Sequence, residues 1–354
     1  MTGSGLPQRH EPGHALPGTG QVAAGTPIAV TSEPASPDAS VLETSRRCAQ
    51  ILAEVEQVIV GKREAVTLVL LGVLAAGHIL IEDLPGLGKT LLARSLAHVL
   101  GLNFTRVQFT PDMLPADLTG AAMLDPRTGD VVFRPGPVFT NLLLADEINR
   151  TPPKTQAALL EAMGEGQVSV DGITHRLSQP FVVLATDNPI EYEGTYPLPE
   201  AQLDRFTARI RLGYLDSAGE EEMARRRLDR GSAPPQPRQV ADAATLLAMR
   251  ESLERVHLDR DVLAYIVSLV AATRAHPKVT VGASPRGTLS VIQLSRGHAV
   301  LESRDYVTPE DVKSVAVPAL AHRLALRPEM WVRQVTGEDL VSEILADLPV
   351  PRAG

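Results

Sequence analysis

The sequence predicts an α/β chain in which a parallel sheet flanked by helices is followed by a small all-α domain. Two observations carry this. Short apolar runs that end in polar residues alternate with helical patterns as far as about residue 213. Such runs read as strands buried on both faces of a parallel sheet. Beyond Leu215 the apolar residues recur at three- and four-residue spacing, the period of helices. With 354 residues the chain has the length of about two domains of ~100–200 residues each. The expected division is a tail over 1–40, an α/β domain over 41–213 and an all-α domain over 214–354.

The elements follow in order. Residues 1–40 hold 12 Gly or Pro and almost no bulky apolar side chains. They cannot bury enough surface to offset their ordering entropy, so disorder is expected there. Helical spacing predicts helices over 41–60 and 64–76, broken by Val60-Gly61-Lys62. A strand over 79–82 is followed by a helix over 91–100, closed by Gly101. A strand over 103–109 comes next. Asp125 to Asp130 then sits between 121–124 and 131–134 as a hairpin tip. An apolar strand over 141–145 leads to a helix over 151–163, with Pro152 and Pro153 in its first turn. Asp171-Gly172 predicts a second hairpin between 167–170 and 173–177. Strands over 181–185 and 209–212 complete the sheet. Helices are then expected over 217–229, 241–255, 259–274, 285–303 and 308–322, with a proline-rich linker over 231–239.

Composition narrows the functional classes. The net charge is −8 and aromatics make up 3%, so basic stripes and stacking platforms of the kind nucleic acids require are not evident. Cys48 is the single cysteine, which excludes an intrachain disulfide and a multi-cysteine metal site and fits a reducing, cytoplasmic setting. The longest apolar stretch, 68–81, is 14 residues and includes His78. A span needs ~20 apolar residues, so no membrane insertion is expected. No charged start leads into an apolar h-region, so no signal peptide is expected either.

The chemistry centres on Asp83-Leu84-Pro85-Gly86-Leu87-Gly88-Lys89-Thr90, between a predicted strand and a predicted helix. Pro85 shapes the turn, and the backbone N–H groups of Gly86, Leu87, Gly88 and Leu91 are placed to face an anion at a helix N-terminus. Lys89 would reach the β- and γ-phosphates, and the Thr90 hydroxyl would ligate Mg²⁺. Asp83 stands where the phosphate-loop motif has its first glycine. Its carboxylate would repel a triphosphate, so it is expected to point away, toward backbone N–H groups or a basic neighbour. The strand over 141–145 ends in Asp146-Glu147, 57 residues after Lys89 for Asp146. Asp146 is the candidate metal ligand and Glu147 the candidate general base. Asn188, after another apolar strand, is a candidate to orient the attacking water. Arg205 is a candidate to reach a neighbouring subunit's γ-phosphate, and Arg286, at a helix start, to touch the phosphates.

In this order the motifs resemble those of the AAA+ ATPases, and within them the MoxR family. The likeness lies in GHILIEDLPGLGKTLLARSLA, FRPGPVFTNLLLADEINRTPPKTQAALLEAM, ATDNPIEYEGTYPLPEAQLDRF and GASPRG, from about residue 50 to 325. It implies an AAA+ P-loop NTPase fold with a small all-α lid. By the same resemblance Lys89 and Thr90 are the Walker A pair, Asp146 and Glu147 the Walker B pair. Asn188 takes the sensor 1 position, Arg205 the arginine finger and Arg286 sensor 2. Residues 120–134 resemble the clade's insert in its second helix, and 167–177 its pre-sensor hairpin. Val60 and Gly61 fall in the segment that lines the adenine pocket. The resemblance further implies ATP and Mg²⁺ as cofactors and a homo-oligomeric ring, usually a hexamer. It implies a chaperone-like role on a client protein, often with a von Willebrand factor A (VWA) domain partner. Asp187 departs from a more usual glutamine.

Other readings stay open at this level. A nucleic-acid motor would need basic hairpin tips, whereas these carry Asp125, Asp130 and Asp171. A chelatase-type motor subunit that drives metal insertion uses the same motifs. A switch that binds nucleotide without turnover is disfavoured by Glu147 and Arg205 together.

Overall fold

A computed structural model describes residues 38–189, 194–235 and 237–351. Helices α1 (Ala39–Glu56) and α2 (Arg63–Leu74) precede strand β1 (Ile79–Glu82) and helix α3 (Lys89–Val99). Strand β2 (Phe104–Gln108) and helix α4 (Pro115–Thr119) lead to the hairpin β3 (Gly120–Leu124) and β4 (Val131–Pro135). Strand β5 (Leu142–Asp146) is followed by a 3-10 turn (Ile148–Arg150) and helix α5 (Pro153–Glu165). A second hairpin, β6 (Gln167–Val170) and β7 (Ile173–Arg176), precedes β8 (Val182–Asp187), α6 (Glu200–Leu203) and β9 (Ala208–Ile210). The remainder is mainly helical: α7 (Ser217–Arg230), α8 (Ala243–Leu253) and α9 (Arg260–Ala275), then α10 (Pro285–Leu301) and α11 (Pro309–Leu320). It ends with α12 (Pro328–Val332) and α13 (Gly337–Asp347).

The central sheet is parallel throughout, in the order β2-β5-β8-β1-β9. Its strands alternate between two cores, as the two-residue period demands. Ile79, Ile81, Leu142, Leu144, Val182 and Leu184 face one apolar cluster. Leu80, Leu143, Ala145, Val183 and Ala185 face the other, which α5 covers. The first cluster runs from α1, α2 and α3 into α8, α9, α10, α11 and α13 without a break. Short polar side chains start many of the helices. Asp38, Asp216, Asp242, Asp259, Ser284, Thr308 and Thr336 each accept a backbone N–H from the first turn, satisfying a donor that the helix leaves orphaned.

Several boundaries differ from the sequence expectation for local reasons. Asp38 caps α1, so Ala39 and Ser40 are helical rather than part of the expected tail; the rest of that tail lies outside the described residues. Helix α3 starts at Lys89, because Gly88 in the left-handed region serves as its N-cap. Thr151 is extended and α5 begins at Pro153. The C-terminal region is helical as expected but also holds a ribbon of β10 (Val279–Val281) and β11 (Ala325–Leu326), antiparallel to each other. Helices α12 and α13 were not anticipated either. No helix among the described residues is long and apolar enough to cross a membrane.

Candidate nucleotide site

The loop between β1 and α3 sits at the carboxyl end of the sheet, where β1 lies between β8 and β9 and strand order reverses. Gly86 and Gly88 have φ of 84° and 89°, a conformation that L side chains rarely adopt. A Cβ added at either would meet nothing within 4 Å, so the loop's outer side is open. Gly88 gives α3 no side-chain cap, and the first-turn N–H groups are left for an anion. Lys89 is buried, and its ammonium donates to the carbonyl of Asp83 and, at 3.3 Å, to that of Asp187. Burial lowers its pKa, opposed by the carboxylates of Asp83, Asp146, Asp187 and Glu147.

Asp83 is turned as its charge requires. One carboxylate oxygen accepts the Leu84 N–H at 2.9 Å; the other accepts those of Leu212 and Gly213 at 2.6 and 2.7 Å. It is not among the residues that line the cavity beside the loop. It closes the turn and ties it to the segment leaving β9.

Opposite the loop, β5 delivers Asp146 and Glu147. Glu147 has φ of 57° and ψ of 52°, a backbone state that costs about 1–3 kcal/mol and persists only where neighbours enforce it. Thr186 at the end of β8 is the enforcing neighbour. Its hydroxyl accepts the Glu147 N–H at 2.8 Å and donates to Asp146 Oδ1 at 2.6 Å. Asp146 Oδ2 accepts from Arg106 Nε and Nη2 at 3.0 and 2.7 Å. Arg106 Nη2 also donates to Gln108 Oε1 at 2.9 Å. Glu147 pairs with Arg150 at 2.9 Å. Beside them, Asp187 is partly buried with Oδ1 unpartnered, and burial and then Glu82 raise its pKa.

A cavity of about 400 Å³ therefore brings together Pro85, Gly86, Gly88, Lys89, Thr90, Leu91, Asp146, Glu147 and Asn188 from the sequence reading. Leu87, Val60 and Gly61 do not line it. Gly61 lies against Leu215, and Lys62 donates to the Tyr214 carbonyl at 2.6 Å. Arg205 lies outside it as well, donating to the Leu160 carbonyl of α5 at 2.8 Å. Arg286, second residue of α10, sits 3.8 Å from Asp204 rather than in the cavity. The lining residues that the sequence reading missed are Arg106, Gln108 and Thr186. Arg106 and Gln108 are polar residues on one face at the carboxyl end of β2, and Thr186 is the first hydroxyl after an apolar run. Those signals were present.

The donor set fits a magnesium nucleotide. An open glycine loop, an uncapped helix start and a buried lysine are suited to phosphates. Among the described residues no cluster of three or more His, Cys, Asp or Glu could hold a metal alone. One carboxylate and one hydroxyl suit Mg²⁺, which keeps most of its coordination for water and substrate phosphates.

Comparison with known proteins agrees with this geometry. Residues 78–208 match the family model for ATPases associated with various cellular activities (AAA), and 271–344 match the AAA lid domain. The uncharacterised protein YeaC of Bacillus subtilis is 46% identical over 298 residues, covering 84% of this chain and 92% of the relative. Chaperone MoxR1 of Mycobacterium tuberculosis is 40% identical over 308 residues, covering 84% and 81%. A crystal structure of a protein assigned as an ATPase in Cytophaga hutchinsonii superposes with a TM-score of 0.82 at 38% identity, covering 88% of this chain and 97% of that one. Fold and site define a nucleotide-binding AAA+ protein. The chain belongs to the MoxR family of chaperone-like AAA+ ATPases.

Proposed function

We propose that this chain hydrolyses ATP to ADP and phosphate with Mg²⁺ and couples the reaction to remodelling or activation of a client protein. One observation carries the reading: the Thr186 hydroxyl joins the Asp146 carboxylate to the Glu147 backbone at the edge of the cavity that holds Lys89 and Thr90. In this reading Lys89 binds the β- and γ-phosphates, with the loop from Pro85 through Leu87 to Leu91 around them. Thr90 and Asp146 hold Mg²⁺, which when bound neutralises phosphate charge. Glu147 takes the proton of the attacking water, which Asn188 orients. Val60 and Gly61 flank the adenine.

The finer roles belong to a homo-oligomeric ring, a hexamer in this reading. Arg205 serves a neighbour's site, which its position outside its own cavity supports. Arg286 reports nucleotide state to the helical region, supported by the ion pair between Arg286 and Asp204, the residue before Arg205. The reading divides the chain into 41–213 and 214–354, with Gly213 at φ 65° on the boundary. It sets the protein in the cytoplasm with a VWA-domain partner. Leu124, Val131 and Ile173 on the two hairpins are 65%, 71% and 62% exposed, which favours a protein client over the alternative of a nucleic-acid motor.

The test is Glu147→Gln. Phosphate release is expected to fall roughly 10²- to 10⁴-fold, the usual contribution of a positioned base, while ATP binding measured by fluorescence is retained. Unchanged phosphate release would overturn the hydrolytic reading. The same variant held in ATP gives ring mass by sedimentation and serves as bait for the partner. Retained nucleic acid instead of a protein would reverse the client assignment.

A further inference from the structure

Both carboxylate oxygens of Asp146 are engaged. Oδ1 is bound by Thr186, which is 1% exposed and itself held by the Glu147 N–H, so that side of the carboxylate is fixed. Asp146 and Arg106 both line the cavity, and the Arg106 guanidinium covers Oδ2 with two N–H groups. A metal that binds Asp146 directly or through water finds its oxygen already occupied by a cation. The backbone cannot resolve this. Strand β2 is hydrogen-bonded along its length to β5, with Arg106 opposite Leu144 and Gln108 opposite Asp146.

We propose that Arg106 is a positioning residue that competes with Mg²⁺ for Asp146. The guanidinium holds the carboxylate while the site is free of metal and leaves it when the metal–nucleotide enters. The proposal rests on the reading of the cavity as a magnesium–ATP site. Three features support the exchange. First, the pair is weak enough to open. The Arg106 side chain is 46% exposed and that of Asp146 13%, and ion pairs with an exposed partner contribute little net stability. Second, the departing guanidinium has an anchor on the same wall, because its Nη2 already donates to Gln108. It also has an anionic destination, since a planar fork of donors matches phosphate oxygens better than a point charge does. Third, the pair removes a bare negative charge from the cavity. An uncovered Asp146 beside Glu147 would repel an incoming triphosphate before any metal was in place.

The experiment is a Mg²⁺ titration of binding of a fluorescent, non-hydrolysable ATP analogue, comparing wild type, Arg106→Gln and Arg106→Lys. Without the competitor, the Mg²⁺ concentration for half-maximal enhancement is expected to fall roughly two- to fivefold in Arg106→Gln, the range an exposed ion pair spans. Binding in EDTA is expected to weaken in the same variant. Arg106→Lys keeps the charge without the fork and is expected to fall between the two. A midpoint in Arg106→Gln that is unmoved or raised overturns the proposal, since a merely structural role would leave metal dependence alone. A wild-type protein whose binding ignores Mg²⁺ overturns the cavity reading together with this one. A Mg²⁺-dependent wild type with no shift in Arg106→Gln overturns this one alone.

Discussion

Asp83 stands where a shared motif has glycine, yet its side chain holds three backbone N–H groups: those of Leu84, Leu212 and Gly213. Restoring the motif with Asp83→Gly is therefore expected to destabilise the protein. Removing a buried acceptor leaves its donors unpaired at about 1–3 kcal/mol. A lowered urea midpoint checks this, and an unchanged or raised midpoint would show that the carboxylate is dispensable. Lys89 is the complementary case. Its ammonium is already bound to two carbonyls at the ends of β1 and β8, so the loop is organised by its own residues rather than left to the ligand. Cys48 is buried and its thiol pushed up to about 12 by burial, which makes it an inert core residue.

At the scale of elements, the first hairpin depends on a close backbone approach at its base. At the base of the first hairpin, Gly120 and Gly136 pack against each other. A Cβ at Gly136 would lie 2.3 Å from the Leu118 carbonyl oxygen and 2.4 Å from the Gly120 nitrogen. Both contacts are backbone and cannot swing aside. Gly136→Ala is expected to open the base of β3 and β4 at about 1–3 kcal/mol, the usual range for overpacking. Limited proteolysis is the measurement: faster cleavage over 120–135 with the rest intact is expected, and wild-type protection would refute it. Farther out, Phe133 stacks on His175 of the second hairpin, with ring centroids 3.8 Å apart and 16° between planes. That contact joins strands β4 and β7 of two hairpins that are distant in sequence.

At the scale of the whole molecule, two buried histidines set how stability responds to acid. His78 Nδ1 accepts the Val183 N–H at 3.0 Å while Nε2 faces the Met163 carbonyl at 3.0 Å. This pattern requires the neutral ring. Burial pushes its pKa down to about 4, helped by Arg250 and opposed by the Met163 carbonyl. His322, against the Phe206 carbonyl at 2.9 Å, is pushed down to about 3 by burial and then by Arg323. Folded pKa values below the unfolded 6.5 mean that stability is full above pH 6.5 and declines as pH falls toward 4 and 3. The loss is expected to be about 2 kcal/mol from each histidine by pH 5. Urea midpoints from pH 8 to 5 check it. His78→Gln and His322→Gln should flatten the slope whatever their baseline stability, and an unaltered slope in both would rule the histidines out. Asp311 acts in the same direction at lower pH. Burial alone would raise its pKa, but hydrogen bonds from His298, Arg304 and Thr308 hold it well below the carboxylate range.

Most of the fold was legible because the relevant physics is local. Strand runs such as 141–145, glycine loops, Asp-Gly turns and Asp, Ser or Thr caps announce themselves within a few residues. The order Lys89, Asp146, Glu147, Asn188, Arg205 and Arg286 along the chain, within the longer stretches around them, was enough to indicate the family and one candidate phosphate site. The side-chain partnerships were not legible. That Arg106 would cover Asp146, Thr186 would hold Glu147, and Asp83 would bind Leu212 and Gly213 depends on segments 39 to 130 residues apart in sequence lying in one register. The ribbon of β10 and β11 escaped notice for the same reason, since each strand is too short to show a period and exists only through its distant partner. Sequence alone determined the family and where the candidate residues of a nucleotide site fall along the chain. The tertiary structure decided which of those groups touch, because parallel pairing is set by long-range closure and by packing on two faces at once.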